Sequence, residues 1–235
     1  MCNPASFVLT KDRVFWSKKT DSHAEIIKEF SLCESIRNES AATSESCTLK
    51  VEIVPPRSGA FDAPLNEWVF RIDQDITPKW FDAVEDEKRA RSALAEWAKI
   101  ALVREGEMRD VREGDNILAI CGGTVGTIWG GNVGTIYGGN VGTIGGGNVE
   151  AIRGGNVGTI WGGTVGTIGG GNVREIYGGT VGTMLGGCIR FFTRFSLIFY
   201  GKFSVAIDMT GDRAKCYVGT DKPRTITNIK RAANK

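Results

Sequence analysis

Between residues 122 and 185 one eight-residue phrase is written eight times: GGTVGTIW, GGNVGTIY, GGNVGTIG, GGNVEAIR, GGNVGTIW, GGTVGTIG, GGNVREIY and GGTVGTML. Nothing else in the chain restricts its fold so severely. A unit this short buries nothing alone, so its copies must stack on one another. The paired glycines argue against helix, because each costs roughly 1 kcal/mol relative to alanine. Short β segments with Gly-Gly corners remain, wound as a parallel β-solenoid whose strands pair between successive coils. Glycine suits such corners because it accepts positive φ and close backbone approach.

The period outlasts the glycine-rich wording. GDNILAIC, residues 114–121, fits as an upstream unit, and Phe195-Ser196-Leu197 returns eight residues later as Phe203-Ser204-Val205. The fourth position stays apolar from Ile117 through Val125 and Val133 to Ile189, Leu197 and Val205, which sets the array at residues 114–209. The two octads with internal charge, Glu150-Ala151-Ile152-Arg153 and Arg174-Glu175-Ile176-Tyr177, lie 24 residues apart, as do Gly145 and Gly169, and Tyr137 and Trp161. A three-sided coil of 24 residues is therefore expected in preference to a two-sided one of 16, with Glu150 beneath Arg174 and Arg153 near Glu175. Coils of either kind rise about 4.8 Å. The pleat stays open at one point: the fourth and seventh residues are three apart, so a regular strand would point them to opposite faces.

Stacking turns recurring residues into columns. Asn132, Asn140, Asn148, Asn156 and Asn172 are expected to bond to coil neighbours through their amides. Thr127, Thr135, Thr143, Thr159, Thr167 and Thr183 fit β-propensity, with a flat hydroxyl face of the ice-binding kind as the rarer reading. The eighth-position aromatics Trp129, Tyr137, Trp161 and Tyr177 either fill the core or form an outward patch suited to a partner. With Arg153 and Arg174 they are the candidate binding residues.

Charge divides the chain. Residues 1–113 hold 17 Lys/Arg against 21 Asp/Glu, whereas residues 186–235 hold 10 against 3, giving a basic C-terminal cap or tail at 210–235. The array between is nearly neutral, which disfavours DNA mimicry and makes nucleic acid an unexpected partner. The six cysteines form no CxxC pair and the single His23 has no companion at ligand spacing, so no metal or cofactor is expected. The stretch CIRFFTRFSLIFYGKFSVAI, residues 188–207, is interrupted by Arg190, Arg194 and Lys202, so it is not a membrane span. Its aromatics read instead as a cap or a homo-oligomer seam. With no signal segment, a cytoplasmic protein is expected.

Residues 1–105 read as a small α+β domain, followed by a linker at 106–113. ASFVLT and RVFWSK alternate around Lys11-Asp12 as a hairpin, and Ser22 with Glu25 has capping-box spacing ahead of a helix. Residues 35–49 read as a loop, and LKVEIVPP and EWVFRID as strands. Thr77 with Pro78 is expected to open a second helix, with Phe81, Val84, Leu94, Trp97 and Ala101 on its apolar face. Cys2 and Asp21 are the catalytic candidates, since removal of Met1 would expose a thiol beside an amine able to act as its base.

That opening, Cys2 followed by Lys18 and Asp21, resembles the start of N-terminal-nucleophile amidohydrolases of the bile-salt and penicillin-acylase group. The resemblance implies Cys2 as nucleophile and Asp21 as the group orienting the amine; Lys18 stands where that group carries arginine. Over a longer span, MCNPASFVLTKDRVFWSKKTDSH with PLNEWVFRIDQDITPKWFDA resembles uncharacterised phage and prophage proteins that run from a short N-terminal domain into tandem short repeats. It implies a non-enzymatic accessory or anti-defence factor binding a host protein. The alternatives are an oligomer sequestering a nucleotide-type small molecule through Arg153 or Arg174, the amidohydrolase, and a structural virion part.

Overall fold

The computed structural model describes residues 5–33, 35–37, 44–192, 196–199, 204–208, 215–218 and 224–227. Side chains are described within residues 5–33 and 46–190. The chain divides into two compact units, Met1–Ile100 and Ala101–Lys235.

The first unit is a small α+β fold. β1 (Ser6–Leu9) and β2 (Val14–Phe15) form the expected antiparallel hairpin. α1 (His23–Glu29) follows, with Ser22 at its N-cap; the serine makes no side-chain capping bond, so the capping box expected there does not form. β3 (Ser35–Arg37) and β4 (Ser44–Ser46) pair as a second hairpin inside the stretch read as a loop, whose polar composition hid it. β5 (Leu49–Val54) lies between β1 and β6 (Val69–Ile72), completing the sheet order β2-β1-β5-β6.

α2 (Ala83–Ala101) begins later than Thr77-Pro78 suggested. Asp82 is the residue that caps it: its carboxylate accepts from the backbone N–H groups of Val84 and Glu85 at 3.0 and 2.9 Å. The buried stripe is Asp86, Ala90, Leu94 and Ala98, four residues apart in each step. Val84, expected on the apolar face, is 80% exposed because it lies off that stripe. Asp86 tolerates burial because the Arg89 guanidinium donates to its carboxylate, while also donating to the Thr10 carbonyl at 2.9 Å. Trp68 is buried with its indole N–H donating to the Ala63 carbonyl at 3.2 Å, and Phe61 and Trp97 pack against its ring.

The second unit is a parallel β-solenoid. It begins with β7 (Leu102–Val103) and β8 (Met108–Val111), so Met108–Val111, inside the stretch 106–113 read as a linker, already forms a strand of one of its sheets. A five-residue strand then recurs every octad: β9 (Asn116–Ile120), β10 (Thr124–Ile128), β11 (Asn132–Ile136), β12 (Asn140–Ile144), β13 (Asn148–Ile152), β14 (Asn156–Ile160), β15 (Thr164–Ile168), β16 (Asn172–Ile176) and β17 (Thr180–Met184). β18 (Gly187–Phe192), β19 (Ser196–Phe199) and β20 (Ser204–Asp208) continue the winding.

The coil is two-sided. Val125 pairs with Val141 and Val133 with Val149, sixteen residues apart, and not with residues 24 away. Odd-numbered strands β7 to β19 form one parallel sheet face and even-numbered β8 to β20 the other. The expected contacts between Glu150 and Arg174, and between Arg153 and Glu175, are therefore absent; Glu175 pairs instead with Thr159. The charged octads occupy opposite sheets, and the three 24-residue coincidences in the sequence carry no spatial meaning.

The pleat is resolved by an irregular strand. Val and Ile of each octad are both buried, giving stacked columns such as Val125, Val141, Val157, Val173 and Ile128, Ile144, Ile160, Ile176. Ladder pairs involve the third, fourth, sixth and seventh residues and skip the fifth, so inward parity resets there. At Gly142 a Cβ would stand 2.5 Å from the Gly126 carbonyl oxygen of the previous coil. The corner is stricter. Gly139 has φ +76° and its Cβ would meet the Gly122 oxygen at 2.5 Å, so side chains are excluded by both conformation and space.

At the C-terminal end, β21 (Lys215–Val218) and β22 (Arg224–Thr227) from the basic tail pair antiparallel with β20 and β19 and become the last strand of each sheet. The described strands within residues 188–207 thus continue the two sheets, with β19 set 15 residues and β20 set 17 residues from their partners; the side chains proposed for an oligomer seam, from Phe191 onward, lie outside the described ones. Among the described residues no helix is long and apolar enough to cross a membrane.

Candidate functional site

With a 16-residue coil, the eighth residue of each octad falls into one of two columns, each at one edge of the sheets. One column carries Trp129, Gly145, Trp161 and Tyr177; the other carries Cys121, Tyr137, Arg153, Gly169 and Leu185. The six candidate binding residues are therefore divided among three places.

The first column is the aromatic one. Trp129, Trp161 and Tyr177 are 65%, 59% and 41% exposed, so they point outward and not into the core. Trp161 and Tyr177, one coil apart, stack with ring centroids 4.5 Å apart and planes inclined by 19°. That separation follows from the coil rise of about 4.8 Å, which holds neighbouring side chains at near-stacking distance. Trp129 stands two coils from Trp161, about 10 Å away along the stack. Gly145 leaves the intervening position without a side chain; a Cβ there would lie 3.8 Å from the Trp129 ring.

Tyr177 has a further tie. Its hydroxyl bonds to the Glu175 carboxylate, and that bond together with the negative charge raises the phenol above its usual range. Arg174 forms an ion pair with Glu175 at 3.5 Å.

In the second column the Arg153 guanidinium lies over the Tyr137 ring, 5.9 Å from its centroid. Arg174 sits elsewhere, at the fifth position of its octad, where Arg190 follows one coil later. Arg153 and Arg174, either of which was expected to face a phosphate, are thus on different surfaces.

The remaining columns are structural. Asn132 donates to Asn116, Asn148 to Asn132, Asn156 to Asn140 and Asn172 to Asn156, at 2.9 to 3.2 Å. The amide ladders expected from the repeat therefore exist, in two stacks. The threonines are half-buried, and Thr159 is buried, so no open hydroxyl face forms.

In the first unit Cys2 lies outside the described residues. Asp21 is exposed by area, yet partial desolvation raises its carboxyl above the ordinary range. Sequence spacing overlooked another grouping: His23, Glu52 and Asp73 offer ligand atoms all within 4.8 Å of one another. They are far apart in sequence, and only the sheet brings them together.

No protein-family model matches the chain, and no curated protein or solved structure matches it.

Proposed function

We propose that this chain is a non-enzymatic interaction protein whose solenoid binds a protein partner through the aromatic column Trp129, Trp161 and Tyr177. The observation that carries the reading is the outward stack of Trp161 on Tyr177, with Trp129 aligned beyond it. Water-facing aromatics held rigidly in line lose little conformational freedom on binding, which is how tryptophan and tyrosine come to dominate interface energetics. The solenoid fixes their spacing. The resemblance of the N-terminal segments to phage and prophage proteins supports a host protein as the partner. Sequestration of a nucleotide finds less support, because Arg153 packs on Tyr137 and Arg174 pairs with Glu175 on a separate surface.

The test is site-specific photo-crosslinking. A photoreactive residue placed at Gly145 should trap a discrete partner in the host, and Trp161→Ala should weaken that partner's binding by about thirtyfold, the scale of an interface hot spot. An equal yield from a photoreactive residue at Gly169 in the opposite column, or unchanged affinity in Trp161→Ala, would sink the assignment.

A further inference from the structure

We infer that Cys33 and Cys47 are a redox-active thiol pair, closing to a disulfide that staples the exit of α1 to the start of β5. The observation is one of reach. The two sulfurs lie 3.2 Å apart, although the residues are 14 positions apart in the chain. A disulfide holds its sulfurs at about 2.05 Å, so closure needs only about 1 Å of travel, which side-chain rotation provides. The pairing depends on this approach and on no vacancy beside either sulfur.

Both backbones are fixed independently of the sulfurs. α1 ends in a left-handed turn at Ser31, φ +52°, where the Ser31 N–H donates to the Lys28 carbonyl at 3.2 Å and the Leu32 N–H to the Ile27 carbonyl at 2.9 Å. That doubly bonded ending sets the direction in which the chain reaches Cys33. On the other side Cys47 lies between Ser46 and Thr48, and the Thr48 carbonyl accepts from the Ser46 hydroxyl at 2.7 Å and from the Gln74 amide at 3.2 Å. β5 begins at Leu49. Between the cysteines, β3 and β4 pair with Ser35 opposite Ser46, so Cys33 and Cys47 flank the same end of that hairpin.

Exposure assigns the order of events. Cys33 is exposed and Cys47 half-buried, so Cys33 meets an oxidant first. The oxidant is a low-molecular-weight disulfide. The Cys33 thiolate attacks one of its sulfurs, the S–S bond breaks, one small thiolate leaves, and a mixed disulfide remains on Cys33. The Cys47 thiolate then attacks the Cys33 sulfur and expels the second small thiolate. The two protein thiols are thereby oxidised and the small disulfide is reduced to two thiols, which take up the two protons the cysteines lost. An excess of small thiol runs the sequence backwards. Closure makes Cys33 to Cys47 a covalent loop and restricts the unfolded chain, which stabilises the first unit.

Oxidised glutathione is the probe. The full-length protein, reduced and then freed of reductant, is incubated with it, alkylated and mapped by peptide mass spectrometry. The expected product is a peptide pair joined through Cys33 and Cys47, which reduced glutathione opens again. Cys47→Ser should stop at a glutathione adduct on Cys33, and in Cys33→Ser the remaining Cys47 should react about tenfold more slowly. The closed protein should melt about 5 °C or more above the reduced one, and the Cys33→Ser, Cys47→Ser double variant should show no such difference. A cross-link from either cysteine to Cys2, Cys121, Cys188 or Cys216 in place of this one would overturn the inference. Alkylation of both thiols undiminished by the oxidant would do the same. Closure without a rise in melting temperature would also overturn it, since the bond would then constrain nothing.

Discussion

The two units are stabilised on opposite plans. In the solenoid one contact is repeated along most of the array: valine sits on the valine sixteen residues earlier, isoleucine on its counterpart, asparagine on asparagine. Among the described residues of the N-terminal unit no contact recurs. Arg89 joins Asp86 to Thr10, Trp68 fills a space among Phe61 and Trp97, and His23 reaches Val51. Where contacts repeat, the informative residues are the exceptions, and the solenoid's exceptions are its exposed aromatics and charges. Where every contact is particular, chemistry arises from residues that only the fold assembles.

The sharpest way to break the contrast is at a solenoid corner. Gly139→Val places a β-branched side chain at φ +76° and against the Gly122 oxygen, and should destabilise the second unit by at least about 3 kcal/mol. Hydrogen exchange read strand by strand should show β11 to β14 losing protection while β1 and β5 keep theirs. An alternative result, uniform loss in both units, would mean that they do not unfold separately.

In the first unit, Arg89→Ala strips a buried carboxylate of its charged partner, leaving only the Asp82 N–H as donor, and should cost about 3 kcal/mol. Asp86→Asn in the same background should recover part of it, since the buried charge is then gone; a denaturant-melt cycle measures the coupling. Breaking one rung of the amide ladder is a smaller perturbation. Asn148→Ala removes an exposed bond from a stack that continues on other contacts, and chemical denaturation should register about 0.5 to 1 kcal/mol.

The smallest expected effects are electrostatic. The Tyr177 phenol is held up by Glu175, so Glu175→Gln should lower its titration midpoint, read by ultraviolet absorbance. Asp21 has a folded pKa raised by desolvation, so the folded state takes up a proton that the unfolded state has released, and stability declines as pH rises from 3.8 through the folded value. Asp21→Asn should therefore raise the melting temperature slightly at pH 7 and leave it unchanged at pH 3. An Asp21→Asn variant less stable at pH 7 than the parent would show that the carboxylate has a favourable partner.

Legibility followed the same division. The eight-residue period, the Gly-Gly corners and the amide ladders could be read directly, because a β-solenoid writes its local geometry into every unit. Coil length could not. An octad is one side of a coil whether two or three sides close it, and that choice depends on how aliphatic side chains from facing sheets fill the interior. The chance 24-residue spacing of Tyr137 and Trp161 pointed to three sides; the packing of Val125 on Val141 settled on two. With that, the candidate residues regrouped, and Trp129 joined Trp161 and Tyr177 while Tyr137 moved to the other column with Arg153.

In the first unit the strands of LKVEIVPP and EWVFRID were visible from alternation, and the helix after Ser22 from its apolar spacing. The start of α2 was misplaced because Thr77-Pro78 and Asp82 both carry opening signals, and only the carboxylate finds the free N–H groups of Val84 and Glu85. What the sequence alone determined is therefore the repeat unit, its β conformation and its glycine corners, all governed by interactions within a few residues. The tertiary structure decided which octads are neighbours, which side of the coil each aromatic occupies, and that His23, Glu52 and Asp73 meet. Those depend on distances between residues remote along the chain, and side-chain packing is what fixes them.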